Sequence, residues 1–463
     1  MGDSTSSTNT PPATHQAIAS LSGEALHQAV DAQSGAEKRA LSYSLTIHHL
    51  FCETLKSKLP GDRILADYFR AHKKHGSKDR RVIRESLFGL FRWHGWLKRL
   101  PQQDVTQHWF AQLALTATLE SHGWQEIIEA WRGVSGLAEL GQLTPNNSLA
   151  EKQALLETAI PGQAFAFDDL APDWFWVHFP AAPEMRQQLV ESLCSRPPIW
   201  GRLQGITQAK AQAQLAEQGI TASGSDFFSD AINLGHKSLN LNALPLYNEG
   251  KLEIQDLGSQ VIGNICAPKA NEIWWDACSG AGGKSLQLRS LMLQQDKQPN
   301  GKVIASDIRR KPLEELAKRA KRAKFKGITT QPWLSDALPV PARHFDGVLV
   351  DAPCSCTGTW RRNPDMRWLD DVSAITDKAN LQLDILSRAC EAVKPGGALV
   401  YATCSICPAE NQAVVEAFLK TRTDFSLQTL SHPFTGEATS MLTVLPYQAD
   451  SDGMFVAKMI RQD

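Results

Sequence analysis

Two stretches, DAPCSCTGTW at residues 351–360 and YATCSICPAEN at residues 401–411, hold the side chains of this 463-residue chain best suited to covalent chemistry. The first joins the carboxylate of Asp351 to the thiols of Cys354 and Cys356; the second adds Cys404 and Cys407. Each follows a short apolar run, so each stands where a buried strand releases the chain. If the two strands are close neighbours in one sheet, Cys354 and Cys404 face one cleft. Three readings of these thiols are open. Cysteine is a common core residue. Cys354-x-Cys356 and Cys404-x-x-Cys407 together offer four sulfurs at spacings compatible with zinc, although Asp351 and Pro353 have no role in such a site. Thiols at the ligand edge of a sheet can also be reactive.

A second group of residues could hold a ligand. DACSGAGGKS, residues 276–285, follows an earlier apolar run. Its glycines let the backbone approach a ligand closely, and the helix that follows offers its N-terminal amides. The ending GGKS resembles a phosphate-binding loop, but that motif needs glycine at 278, where Cys278 stands. Asp307, in SDIRRKP, lies 24 residues beyond Gly283. An acidic side chain there can accept hydrogen bonds from both ribose hydroxyls of an adenosine cofactor; the alternative is a helix N-cap.

The elements that must position these residues alternate. EIWWDA, KVIASD, GVLVDA and GALVYATCS read as strands, with helices from Gly283, from Pro312 and over Ala379–Val393 between them. That order predicts an α/β fold, a parallel sheet wound on both faces, which binds ligands outside the carboxyl ends of its strands. Upstream, residues 1–35 are rich in Ser, Thr, Ala and Gln and read as a disordered leader. Residues 36–172 have helical apolar spacing: Ile83, Leu87, Leu90 and Phe91 share one face. Residues 173–250 read as a small α+β module, with a strand at RPPIWGRLQG and a helix closed by Gly219, and residues 251–463 as the ligand-binding domain.

Composition is consistent with a large buried core, since 42% of the residues are hydrophobic. No apolar run reaches the ~18 residues of a membrane span, and no charged start leads into an apolar stretch, so the cytoplasm is the expected location. Nine irregularly spaced cysteines fit reduced thiols. The net charge of −1 hides local excesses: residues 301–330 carry ten Lys or Arg against three acids, and HKKHGSKDRRVIRE near the N-terminus is also basic. Either can meet phosphates or solvate a helix face.

Taken in order, DACSGAGGKS, SDIRRKP, DAPCSCTGTWRRNPDMRW and YATCSICPAEN resemble the Nop/Sun family of S-adenosylmethionine-dependent RNA cytosine-5 methyltransferases. The resemblance covers roughly residues 170–463. Residues 36–172 are similar, more distantly, to the NusB-like RNA-binding domain of bacterial members acting on small-subunit ribosomal RNA. Ala281 stands where the family usually has proline, Cys356 where it has glycine, and Arg202-Leu203-Gln204 where Arg-Val-Asn is commoner.

The resemblance implies a Rossmann-like class I methyltransferase domain preceded by an RRM-like module. It implies that Cys278, Ser279, Gly280, Ala281, Gly282, Gly283 and Lys284 cradle the methionine end of S-adenosyl-L-methionine, that Asp307 holds its ribose, and that Asp336 flanks its adenine. Asp351 would reach both cofactor and base. Cys404 would be the nucleophile and Cys354 the residue that releases the product, while Arg361, Arg362, Arg367, Trp360 and Trp368 could grip flanking RNA or serve packing. The implied partner is RNA, most naturally ribosomal, with transfer RNA as the alternative; no metal, no membrane and a monomer are expected. A catalytically silent RNA-binding factor of the same fold is the rival.

Overall fold

This computed structural model describes residue 18 and residues 21–28, 30–101 and 104–463. The chain divides into two compact units. The first runs to residue 176 and adds 182–194 and 363–370; the second comprises 177–181, 195–362 and 371–463.

The first unit is helical: α1 (Gly23–Gln28), α2 (Gly35–Ser57), α3 (Gly61–Ala71), α4 (Ser77–Leu97), α5 (Val105–Leu119), α6 (Gln125–Ser135), α7 (Leu149–Ala159) and α8 (Pro183–Leu193). Ser34 and Glu37 start α2 with a reciprocal capping box, the Ser34 hydroxyl accepting the Glu37 amide at 3.1 Å and the Glu37 carboxylate accepting the Ser34 amide at 2.8 Å. Helix α5 is buried on every face from His108 to Leu119, mostly by apolar side chains such as Trp109, Phe110 and Leu119. Helix α4 buries Ile83, Leu87, Leu90 and Phe91 as its spacing requires. Most of the expected leader lies outside the described residues. Its last part does not follow the expectation, because Leu26 of α1 is buried and His48 Nε2 donates to the Ile18 carbonyl at 2.8 Å. Ile18 and Leu26 are both buried, so packed residues occur before residue 35.

In the second unit, β1 (Trp200–Leu203), β2 (Ser223–Gly224), β3 (Ala231–Asn233) and β4 (Leu252–Ile254) form an antiparallel sheet ordered β2–β3–β1–β4. Helix α9 (Gln208–Glu217) covers it and stops before Gly219, whose φ of +71° suits glycine. The boundaries expected for this module, 173–250, shift at both ends. Helix α8 joins the first unit, and β4 lies past residue 250 because β1 needs a partner on its second edge.

The large sheet contains β5 (Ile273–Asp276), β6 (Lys302–Ala305), β7 (Ile328–Thr330), β8 (Phe345–Asp351), β9 (Val393–Thr403), β10 (Phe425–Leu427), β13 (Met441–Val444) and β14 (Met454–Arg461). A separate short pair, β11 (Leu430–Ser431) and β12 (Ala438–Thr439), lies outside it. The order is β10–β14–β9–β8–β5–β6–β7, with β13 also on β14. Strands β5 to β9 are parallel, whereas β14 runs antiparallel to β9 and brings β10 and β13 with it. Successive residues feed opposite cores: Trp275, Val348 and Leu399 pack on one face, Trp274, Leu349 and Val400 on the other. The first core includes residues of α13 (Val372–Ala389) and α14 (Gln412–Thr421), the second residues of α10 (Leu257–Cys266) and α11 (Gly283–Gln295). Helix α12 (Arg310–Arg322) follows β6. This is a doubly wound α/β sheet of the Rossmann-like kind. No helix among the described residues is long and apolar enough to cross a membrane.

Candidate active site

The loops leaving β5, β6, β8 and β9 hold the residues singled out by type. After β5 the chain turns through Cys278, Ser279, Gly280, Ala281 and Gly282 into α11, whose first residues are Gly283 and Lys284. Gly280 and Gly282 have φ of +52° and +82°, and a side chain at Gly282 would overlap Leu316 of α12. The turn is tied to the next loop: the Ser279 amide donates to the Ser306 carbonyl at 2.8 Å, and the Gly280 amide to Asp307 Oδ2 at 3.0 Å.

Asp307 is not a helix N-cap, since α12 starts at Arg310 behind Arg309. Its carboxylate accepts the Arg309 amide at 2.8 Å and the Arg309 guanidinium at 3.0 Å. Burial pushes its pKa up, but these bonds and the Gly280 amide outweigh burial and hold it below the usual range. A buried carboxylate thus stays ionised at the mouth of the glycine turn. Asp336 has different surroundings from those expected. Its carboxylate is fully exposed and pairs with Arg388 at 3.2 Å, outside the hydrogen-bonded network of the turn.

Beneath the turn lie two further carboxylates. Lys284 Nζ donates to Asp351 Oδ2 at 2.7 Å. Burial raises the pKa of Asp351, against the pull of Lys284. Asp276, which ends β5 and is fully buried, accepts the Ser285 hydroxyl at 2.6 Å. Burial, opposed by the Ser285 bond and reinforced by the charge on Asp351, raises its pKa to about 7. Sequence reasoning passed over Asp276, although it opens the glycine stretch.

The β8 and β9 loops bring Cys354 and Cys404 together with their sulfurs 3.3 Å apart. The nearby sulfurs of Cys354 and Cys356, helped by the charge of Lys284, hold the Cys404 thiol well below its usual pKa despite burial, while the Cys356 thiol donates to the Cys354 carbonyl at 3.5 Å. Cys354 and Cys356 are correspondingly raised and keep their protons. The sulfurs of Cys354, Cys356 and Cys404 all lie within 4.8 Å of one another. Cys407 is not part of this group. It is fully buried, its sulfur is 3.7 Å from Thr357 Oγ1, and burial pushes its pKa up to about 12. The four-sulfur arrangement suggested by spacing therefore does not form.

A buried polar lattice holds the two loops. Glu410 accepts the Ser355 amide at 2.8 Å, the Ser405 hydroxyl at 2.6 Å and Gln382 Nε2 at 3.0 Å; Gln382 also donates to the Pro353 carbonyl at 3.0 Å. Thr403 donates to Asn411 at 2.6 Å, and the Gly358 amide to the Cys404 carbonyl at 2.9 Å. Glu410 was also missed, although it stands six residues after Cys404 in the quoted stretch.

Four of the five residues considered for RNA contact are committed to packing. Trp360 is buried, and Arg361 is buried against the Arg196 carbonyl at 3.1 Å and Asp450 at 2.5 Å. Arg367 and Trp368 belong to the first unit. Arg367 donates to the carbonyls of Leu170 at 2.9 Å and Leu193 at 2.5 Å, and Trp368 Nε1 to that of Phe91 at 2.8 Å. Arg362, paired with Asp452, remains exposed. Charge and ring type alone could not distinguish these fates.

The family model described as 16S rRNA methyltransferase RsmB/F matches residues 264–460. The chain is 33% identical over 295 residues to ribosomal RNA small subunit methyltransferase B of Shewanella oneidensis, covering 63% of this chain and 67% of that protein. It is 30% identical over 421 residues to the protein of the same name from Proteus mirabilis, covering 83% and 91%. Among solved structures, PH0851 aligns with a TM-score of 0.68 at 22% identity over 92% of this chain and 99% of its own. NSun6 from Pyrococcus horikoshii, solved with SFG, aligns with a TM-score of 0.56 at 17% identity over 63% of this chain and 98% of its own. These two share the fold. With relatives at 30% identity or more matched over two thirds or more of their length, the chain belongs to the 16S rRNA methyltransferase RsmB/F family.

Proposed function

We propose that the chain methylates carbon 5 of a cytosine in small-subunit ribosomal RNA, through a transient bond between Cys404 and the base. The observation that carries this reading is the pair of sulfurs 3.3 Å apart, one favoured as thiolate and the other as thiol. One covalent cycle needs both forms. The methyltransferase B relatives are named for the same class of RNA.

The residues present fit S-adenosylmethionine. Gly280 and Gly283 have open space where side chains would stand, and ionised Asp307 can accept ribose hydroxyls. Residues 278–284 would hold the methionine end, and Asp351 would face both cofactor and base. Asp336, exposed and paired with Arg388, would flank the adenine. When bound, the cofactor supplies an electrophilic methyl group.

The chain's own residues prepare the base. Carbon 5 of cytosine is a poor nucleophile, and addition of the Cys404 thiolate to carbon 6 makes it enamine-like. Charge builds at ring nitrogen 3 during that addition, and Asp351, its pKa raised by burial, shares a proton there. After transfer the proton on carbon 5 passes to water, its electron pair restores the ring double bond as the carbon 6–sulfur bond breaks, and Cys404 departs as thiolate. Cys354 serves this release. The basic run around Lys73 suits the helical unit to holding RNA.

Substitution at the two cysteines tests the reading. Cys404→Ala should abolish methyl incorporation into small-subunit RNA while S-adenosylhomocysteine still binds. Cys354→Ala should accumulate a protein–RNA adduct that survives denaturing electrophoresis. Turnover by the Cys404 variant would overturn the assignment.

A further inference from the structure

We infer that Cys354, Cys356 and Cys404 together form a binding site for a thiophilic divalent cation of the zinc class. Three sulfurs bound to one tetrahedral ion at about 2.3 Å lie about 3.8 Å from one another. Here all three lie within 4.8 Å of one another, with Cys354 and Cys404 at 3.3 Å, so shifts of about 1 Å close the site. Each cysteine is half-buried, which leaves an ion a path in. Cys407, held in the core against Thr357, does not supply a fourth sulfur. The fourth position stays open to water.

Cys356 makes the difference. The methylation cycle uses two thiols and leaves the third without a task. Its backbone sits at φ +58°, in the left-handed region where glycine is at ease and cysteine is strained. That conformation begins the turn at Thr357 and leaves the Cys356 sulfur beside the other two.

The proton count balances. Cys404 enters as thiolate, and Cys354 and Cys356 each release one proton, so three metal–sulfur bonds form with loss of two protons and no change of oxidation state. The filled site carries one net negative charge. Lys284 stays paired with Asp351 at 2.7 Å. A bound ion occupies the Cys404 lone pair. That it thereby stops methylation rests on the role proposed for Cys404; that it binds does not.

Cadmium titration of the full-length protein, reduced with a phosphine, tests the site. The expected result is one equivalent of ion per chain, a thiolate-to-metal charge-transfer band and release of about two protons. Cys356→Gly, which suits the left-handed backbone, should weaken binding at least tenfold while the variant remains folded by circular dichroism. Cys407→Ser should not change it, and excess magnesium should not compete. Absence of the band, or equal affinity in wild type and Cys356→Gly, overturns the site. Zinc should inhibit methylation by wild type more strongly than by Cys356→Gly. Cadmium bound by all three sulfurs with methylation intact would uphold the site and refute the role of Cys404.

Discussion

The Glu410 carboxylate accepts the backbone amide of Ser355 at 2.8 Å, which ties the residue next to Cys354 to the loop that carries Cys404. Its second oxygen takes the Ser405 hydroxyl at 2.6 Å, so one buried carboxyl group fixes both cysteine loops. Leaving these donors unsatisfied costs about 1–3 kcal/mol each. Glu410→Ala should lower the rate of methyl incorporation at least tenfold, with cofactor affinity measured by calorimetry almost unchanged because Asp307 and the glycine turn lie on other loops. Full activity in this variant would show that the sulfurs meet without the lattice.

Asp307 should account for much of the cofactor's affinity. Hydrogen bonds to a charged group contribute about 1.5–3 kcal/mol, so Asp307→Ala should raise the Kd for S-adenosylhomocysteine at least tenfold. Because Asp307 also holds Arg309 and Gly280, Asp307→Asn is the informative companion. It keeps the shape and loses the charge. Unchanged affinity in both variants would remove the residue from the ribose site.

Asp276 makes stability depend on pH. Its pKa is about 7 in the folded chain against an ordinary 3.8, so between these values the folded protein holds a proton that the unfolded chain has lost. Stability therefore falls as pH rises through this window, and the penalty is complete above pH 7. Asp276→Asn removes it and should raise Tm more at pH 8 than at pH 4. Thermal unfolding at the two pH values checks this; an equal shift at both would contradict it.

Lys73, Lys74 and Lys78 are exposed near the start of α4, whereas neighbouring Arg80 and Arg81 are engaged with the His75 carbonyl at 2.9 Å and Glu85 at 3.0 Å. If the three lysines meet phosphates, replacing them with alanine should weaken RNA binding. The slope of log affinity against log salt should become shallower by about 0.7–0.9 per residue. Filter binding across a salt series measures it. An unchanged slope would leave these lysines as solvated charge.

The sequence by itself determined the features that depend on neighbours along the chain. Alternating apolar strands and helices, the glycine turn before α11, the carboxylate ending β6 and the cysteine stretches after β8 and β9 are legible because periodicity and turn chemistry are local. Tertiary structure decided what depends on distant partners. Residues 301–330 look like one basic patch, yet Arg319 and Arg322 are neutralised at 2.9 Å and 2.5 Å by Glu253, 66 and 69 residues earlier. Arg367 and Trp360 look suited to nucleic acid, and burial assigns them to packing. The antiparallel insertion of β14 beside β9 follows from long-range pairing that no period encodes. Spacing also offered Cys354, Cys356, Cys404 and Cys407 as one group of four sulfurs. The structure keeps three and leaves Cys407 beside Thr357, because a loop's inward face is set by the partners its backbone and hydroxyls find across the fold.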